Sequence, residues 1–166
     1  RGVRYAAQGA RVLMDRACSP LVQTLQSSPN FEPRRGKTRA DMLILHYTGM
    51  TSAPRVVAWF ANPASRLSSH YVIDDDGRIT QMVSEADRAW HAGVGSWAGE
   101  TDINSASIGI EIQNPGHDLG YPEFNPTQMA AVTALSLDIV TRNAIPPTRV
   151  LARLQARFGA ALAVSA

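Results

Sequence analysis

The chain of 166 residues has a single cysteine, Cys18. It therefore forms no internal disulfide and has no cysteine-rich metal site, a pattern that fits a reducing compartment. No apolar run approaches the ~20 residues needed to cross a bilayer. The first 20 residues carry Arg1, Arg4, Arg11, Asp15 and Arg16 and lack the continuous apolar stretch of a secretory signal. A cytoplasmic location is expected on these grounds, with the periplasm as the alternative. An excess of one charge is also missing. Sixteen basic residues face fourteen acidic ones, for a net charge of +2, which gives no reason to invoke nucleic acid. Several catalytic signatures are absent as well: His-Glu-x-x-His, Gly-x-Ser-x-Gly, a P-loop and a dinucleotide fingerprint.

What is present describes one globular domain. Hydrophobic residues make up 45% and charged residues 18%, enough to build a core. The chain opens without methionine. Met14 is the first candidate start, and residues 1–13 have no clean period and read as a tail. Ser19 to Thr38 reads as a loop rich in Pro, Ser and Arg. Its basic cluster, Arg34, Arg35, Lys37 and Arg39, is expected to be solvated, with an anion-binding patch as the alternative.

Met42 to Tyr47 predicts a buried strand. Thr51 or Ser52 is expected to cap a helix with Pro54 in its first turn and Val56, Val57, Trp59 and Phe60 as apolar members, ending at Asn62-Pro63. His70–Ile73 and Arg78–Val83 flank Asp74-Asp75-Asp76-Gly77, an antiparallel hairpin signal. Ala89 to Asn104 reads as a long Gly- and Trp-containing loop, a length often tied to function. A strand over Ser107 to Ile112 follows. Asn125-Pro126 opens a helix with a buried stripe of Met129, Val132, Leu135 and Ile139. Pro146-Pro147 leads into a last strand, Arg149-Val150-Leu151. The mixture predicts an α/β fold with a mixed central β-sheet covered by helices.

Two residues stand out chemically. His46 ends one apolar strand and Glu111 lies within another, where a carboxylate is costly unless paired, protonated or near a metal. The pair outlines a metallohydrolase site, in which a zinc ion with three protein ligands lowers the pKa of a bound water toward ~7 and a carboxylate moves its proton. Spacing alone specifies no second or third ligand. His46 can equally be a satisfied core histidine. His70 reads as structural, His91 as either structural or functional, and His117 as part of an exposed loop.

Four blocks taken together are more specific. Leu43-Ile44-Leu45-His46-Tyr47-Thr48, Ser69–Ile73 with Asp76–Ile79, Ala89-Trp90-His91-Ala92-Gly93, and Asn104–Ile112 follow one another in the order and spacing of a known family. They resemble the zinc-dependent N-acetylmuramoyl-L-alanine amidases of the type-2 amidase family, relatives of the peptidoglycan-recognition proteins. The resemblance covers Met42 to Ala152. It implies a mixed sheet flanked by helices. It also implies hydrolysis of the amide between the lactyl group of N-acetylmuramic acid and L-alanine, with peptidoglycan or a muropeptide as substrate and Zn2+ as cofactor. By the same resemblance His46 matches the first zinc ligand and Glu111 the residue that activates water. Trp90, His91 and Asn104 border the substrate cleft. A non-catalytic muropeptide-binding module is the alternative.

The family pattern also implies a histidine directly after the strand that ends here at Ala152, and an aspartate or cysteine about ten residues later. These other two ligands are absent after Ala152, because Arg153 to Ala166 contains no His, Asp, Glu, Cys or Lys. The expected organisation is a tail and loop over 1–40, an amidase-like domain over 41–152, and a C-terminal stretch over 153–166 unlike the family. With two ligands missing, zinc is expected to bind weakly and activity to be impaired. The change falls at one residue, as a shifted or truncated reading frame would produce. Translating the encoding DNA in its other frames should reveal a family-like continuation, and its absence from every frame would reject the shift.

Overall fold

The computed structural model describes residues 16–153 and 162–163. The tail expected over residues 1–13 and most of the stretch after Arg153 lie outside the described residues. The strands are β1 (Thr24–Leu25), β2 (Phe31–Pro33), β3 (Met42–Tyr47), β4 (Tyr71–Ile73), β5 (Ile79–Gln81), β6 (Asp87–Ala89), β7 (Ser107–Ile112), β8 (Val150–Arg153) and β9 (Leu162–Ala163). The helices are α1 (Ala53–Ala61), α2 (Ile103–Ala106) and α3 (Pro126–Asn143). Seven strands form one sheet in the order β1-β5-β4-β7-β3-β8-β9, and β2 pairs with β6 separately. The β4–β7–β3–β8 core is parallel, while β4–β5 and β8–β9 are antiparallel. This is the mixed sheet that the sequence predicts.

The apolar run of β3 has a direct cause. A parallel central strand is covered on both faces, so every side chain must suit an interior. On one face Leu43 joins Tyr71, Ile73, Ile108, Ile110 and Ile112 against Val132, Leu135 and Ile139 of α3. On the other, Met42 and Ile44 meet Ala92, Ile103 and Leu151, and Val72 meets Ala53, Val56 and Phe60 of α1. Each buried aliphatic side chain stabilises by about 1.5–3 kcal/mol, so the two-faced core fixes β3 and β7 at the centre.

The local signals behave as their chemistry requires. Ser52 stands at the N-cap of α1 with Pro54 in the first turn, and Asn125 caps α3 by accepting from Thr127 N. In the β4–β5 hairpin Gly77 takes φ +81°, and a Cβ there would lie 3.0 Å from the Thr127 carbonyl oxygen, so glycine is required twice over.

Five expectations need correction. The stripe of α3 begins at Gln128, which is fully buried, while Met129 is 38% exposed. Gln128 tolerates burial because its Nε2 donates to the Gln113 carbonyl at 2.8 Å. Arg149 precedes the last strand, in a 3₁₀ turn over Pro147–Arg149. Its guanidinium holds Asp41 through both the backbone oxygen and the carboxylate. The Ser19–Thr38 segment contains β1 and β2, strands of two and three residues that exist through pairing with β5 and β6.

The fourth correction concerns the end of the last strand. The residues by themselves end it at Leu151, and the family resemblance ends it at Ala152. The strand instead passes through Ala152 to Arg153. Ala152 is the register partner of Leu45 in β3 on one side and of Ala163 in β9 on the other. Backbone pairing asks little of the side chain, so the change in composition after Ala152 does not interrupt the ladder there.

The fifth correction concerns the basic cluster. Arg34 is an internal anchor. Its guanidinium donates to the carbonyls of Glu85, Asn104, Ser105 and Ser107. Burial pulls its pKa down to about 10, opposed by the carboxylates of Asp87 and Glu85. Arg35 and Arg39 are exposed, as expected of a solvated cluster, with Arg35 paired to Glu32, while Lys37 is partly buried and pairs with Asp41 and Glu100.

His70 is structural, as its sequence position suggests. It is fully buried, its Nδ1 accepts from Gly109 N at 3.0 Å, and its Nε2 donates to the Asp87 carbonyl at 3.1 Å. Burial, and then the Arg34 charge, hold its pKa down at about 3, against ~6.5 in an unfolded chain. The unfolded state therefore binds more protons between those values, so this contribution is full above ~6.5 and is lost as pH falls toward 3. Urea unfolding free energy should fall between pH 6.5 and 5 with a slope of up to about 1.4 kcal/mol per pH unit from this residue. His70→Gln should flatten that slope, and an unchanged slope would assign it to other groups.

Candidate functional site

The site begins with strand register. β3 and β7 run parallel with His46 directly opposite Glu111, so both side chains leave the same face of the sheet. On that face β7 presents Ser107, Gly109 and Glu111, while Ile108, Ile110 and Ile112 face α3. One strand thus carries a core face and a chemical face. Glu111 is only 6% exposed, and it forms part of the floor of a cleft of about 150 Å³.

Thr48, Met50, Val56, Trp59, Phe60, Leu67, Ser68, Trp90 and His91 complete the lining of that cleft. Its α1 wall is held from behind. Asn30 Nδ2 donates to the carbonyls of Asn62 and Leu67, each at 2.9 Å, and Ser28 Oγ donates to the Phe60 carbonyl at 2.5 Å. The loop after β3 is tied down by Gln113, whose Nε2 donates to the Met50 carbonyl and whose Oε1 accepts from Thr48 Oγ1. Trp59, an apolar member of α1 in the sequence, is 47% exposed. Its ring edges the cleft.

The Trp90–Gly93 segment is fixed from two sides. Ser68 Oγ accepts from Trp90 N at 2.9 Å. Asn104 Oδ1 accepts from both His91 N and Ala92 N, at 3.0 and 2.8 Å. Asn104 is buried and lies outside the cleft lining. Arg34 in turn grips the Asn104 carbonyl. His91 Nδ1 lies 3.0 Å from His46 Nε2, with the two rings edge to face at 5.2 Å. The site residues are therefore one cluster: Glu111, His91 and Trp90 line the cleft, His46 joins them through His91, and Asn104 supports the loop.

The arrangement offers a buried carboxylate and an imidazole pair beside a partly apolar cleft. Such a carboxylate can take a proton from a water and pass it on. A catalytic zinc needs three protein ligands, and the residues present do not fit one. No group of three His, Cys, Asp or Glu side chains among the described residues could hold a metal. Ala152, the point after which the sequence lacks ligands, is exposed and lies outside the cleft lining. Its methyl group offers no donor atom. Residues 154–161 and 164–166 contain none of the four ligand types.

The sequence profile of the family described as N-acetylmuramoyl-L-alanine amidase matches residues 36–159, a span that runs past Ala152. This chain belongs to that family. It is 34% identical over 126 residues to the N-acetylmuramoyl-L-alanine amidase AmiD of Escherichia coli, spanning 69% of this chain but only 45% of AmiD. It is 30% identical over 139 residues to the 1,6-anhydro-N-acetylmuramyl-L-alanine amidase AmpD of Haemophilus influenzae, covering 71% of this chain and 74% of that protein. Among solved structures, E. coli AmiD in complex with anhydro-N-acetylmuramic acid-L-Ala-D-gamma-Glu-L-Lys superposes with a TM-score of 0.62. That match has 34% identity and covers 73% of this chain and 49% of the AmiD chain. The amidase family fold is thus shared, with the mixed sheet and flanking helices already described.

The sequence singles out His46, Glu111, Trp90 and His91, and the structure brings these four together; the sequence carries no local sign of the anchors Arg34 and Asn30, whose partners lie far along the chain. The support by Asn104 can be measured. Asn104→Ala leaves the His91 and Ala92 amides without their acceptor and should cost about 1–3 kcal/mol in urea unfolding. Asn104→Asp, which keeps an acceptor oxygen, should cost less. Equal losses would show that the contact is not what stabilises this amidase-family loop.

Proposed function

We propose that this chain takes muropeptides, the N-acetylmuramoyl peptides of peptidoglycan, into the cleft floored by Glu111. The bond it is shaped to address joins the lactyl carbonyl of N-acetylmuramic acid to the nitrogen of L-alanine. The amidase-like segment 41–152 carries every lining residue of the cleft, and Ser28, Asn30 and Arg34 before it hold the walls in place. One observation carries this reading: in a chain of the amidase family, His46 and Glu111 are register partners on one face of the sheet, with Glu111 at the cleft.

Glu111 is the proton carrier. Its carboxylate accepts a proton from the attacking water and delivers it to the departing alanine nitrogen, so that the amide breaks to a carboxylate and a free amine. Trp90 and Trp59 offer apolar surface for the sugar and peptide, and anchoring by Ser68 and Asn30 keeps that surface preformed, which lowers the ordering cost of binding. When zinc is bound in a complete site of this family, it supplies a more acidic water. Here His46 is the only matched ligand, and hydrolysis is accordingly slow. A second reading follows from the same observation. The cleft walls owe nothing to a metal, so muropeptide binding persists as a function without cleavage.

Calorimetry with anhydro-N-acetylmuramoyl tripeptide should show saturable binding, and chromatography should show little or no free peptide. Glu111→Gln should leave binding within about threefold and lower any residual release by roughly 10²-fold or more. Turnover equal to that of an intact family enzyme would refute the impairment. Failure to bind would refute the cleft.

A further inference from the structure

Between Ser107 and Glu111 on the chemical face of β7 stands a residue with no side chain, Gly109, and its backbone gives no reason for a glycine. The pairing of β7 with β3 runs without a bulge from Ser107 to Ile112, and Gly109 is not among the glycines with positive φ. A glycine at an ordinary strand position is weaker than alanine and marks a place where another group comes close. The group here is the ring of His91. A Cβ on Gly109 would fall 2.5, 2.6 and 2.8 Å from three of its atoms, where ordinary contact begins at 3.4 Å.

Neither partner in this contact can retreat into the interior. Gly109 N donates to His70 Nδ1 at 3.0 Å, and its carbonyl accepts from His70 N and from Ser69 Oγ. Both of those residues are fully buried. The His91 backbone amide is held by Asn104. Its ring is bounded by Ser107 Oγ at 3.2 Å, by His46 at 3.0 Å and by the His70 ring edge to face at 5.7 Å. The side that remains is the cleft, which His91 lines.

We propose that Gly109 is a positioning residue for the cleft: the space it leaves seats the His91 ring, and a side chain there drives that ring into the volume the muropeptide takes. With about 150 Å³ available, a displaced imidazole competes directly with the ligand. The inference rests on the proposed function for the ligand that reads it. The seating of the ring is read without any ligand.

The test uses four full-length proteins: the parent chain, Gly109→Ala, His91→Ala and the double variant. In calorimetry with anhydro-N-acetylmuramoyl tripeptide, Gly109→Ala should weaken binding about tenfold or more when residue 91 is histidine, as overpacking predicts. It should change Kd less than about twofold when residue 91 is alanine, because the obstructing ring is gone. In urea, alanine at 109 should lower the unfolding midpoint beside His91 and leave it equal or higher beside alanine, the better strand residue. Unweakened binding by a folded Gly109→Ala variant would overturn the proposal, as would equal losses in both backgrounds. If the parent chain binds no muropeptide, the proposed function fails, and the urea midpoints alone decide the seating. They decide it also if His91→Ala abolishes binding. Should Gly109→Ala not fold, a double variant that folds supports the seating and one that does not overturns it.

Discussion

Parallel, in-register pairing of β3 with β7 is the constraint on which the site depends. Side chains alternate between faces along a strand, so a slip of one residue would send Glu111 into the α3 core and bring an isoleucine to the cleft. The register is secured by the core itself. Leu43 and the three isoleucines of β7 have a large apolar surface to bury on the α3 side, and only one alignment buries them together. The hydrophobic face therefore positions the chemical face. A carboxylate with 6% exposure is tolerated because the strands that carry it are held elsewhere.

Around this frame the loops are held by polar side chains that reach backbone groups. Asn30 ties the end of α1, Asn104 ties the Trp90–Gly93 segment, and Arg34 ties the start of β7 to the Glu85 region. Glu85 belongs to a second buried cluster. Burial alone would raise its pKa, but hydrogen bonds from Arg142, Tyr71 and Asn143 reverse this and hold it below the usual carboxylate range. The cleft is consequently a preformed depression between packed layers. Ordering it at the moment of binding would cost affinity, and that cost is largely met in folding.

Much of the scaffold is legible in the sequence because its signals are local. An apolar run marks β3, Asp-Gly marks the hairpin, and Asn-Pro marks the start of α3. The four family-like blocks bring out His46 and Glu111. The rest depends on partners distant in sequence. Nothing near Arg34 announces acceptors as far away as Ser107, and two-residue β1 has no period to read. The continuation of β8 beyond Ala152 is hidden for the same reason, since pairing there comes from β3 and β9 and not from an apolar pattern of its own. Asn104 resembles a cleft residue by its neighbours but turns inward to the His91 and Ala92 amides. One signal was available and is easy to pass over. In Ser-Ile-Gly-Ile-Glu-Ile every second position is small or polar, which on a central strand means that something packs there in place of aliphatic side chains. That something is His91.

The grip of Arg34 has a consequence for sequence drift. All four of its protein acceptors along Glu85, Asn104, Ser105 and Ser107 are main-chain oxygens. A main-chain oxygen is present whatever side chain the gene encodes, so those four positions can vary without releasing the guanidinium. The dependence runs one way. A lysine in place of Arg34 would bring one ammonium nitrogen where donors on all three guanidinium nitrogens are in use, and no change among its acceptors could compensate.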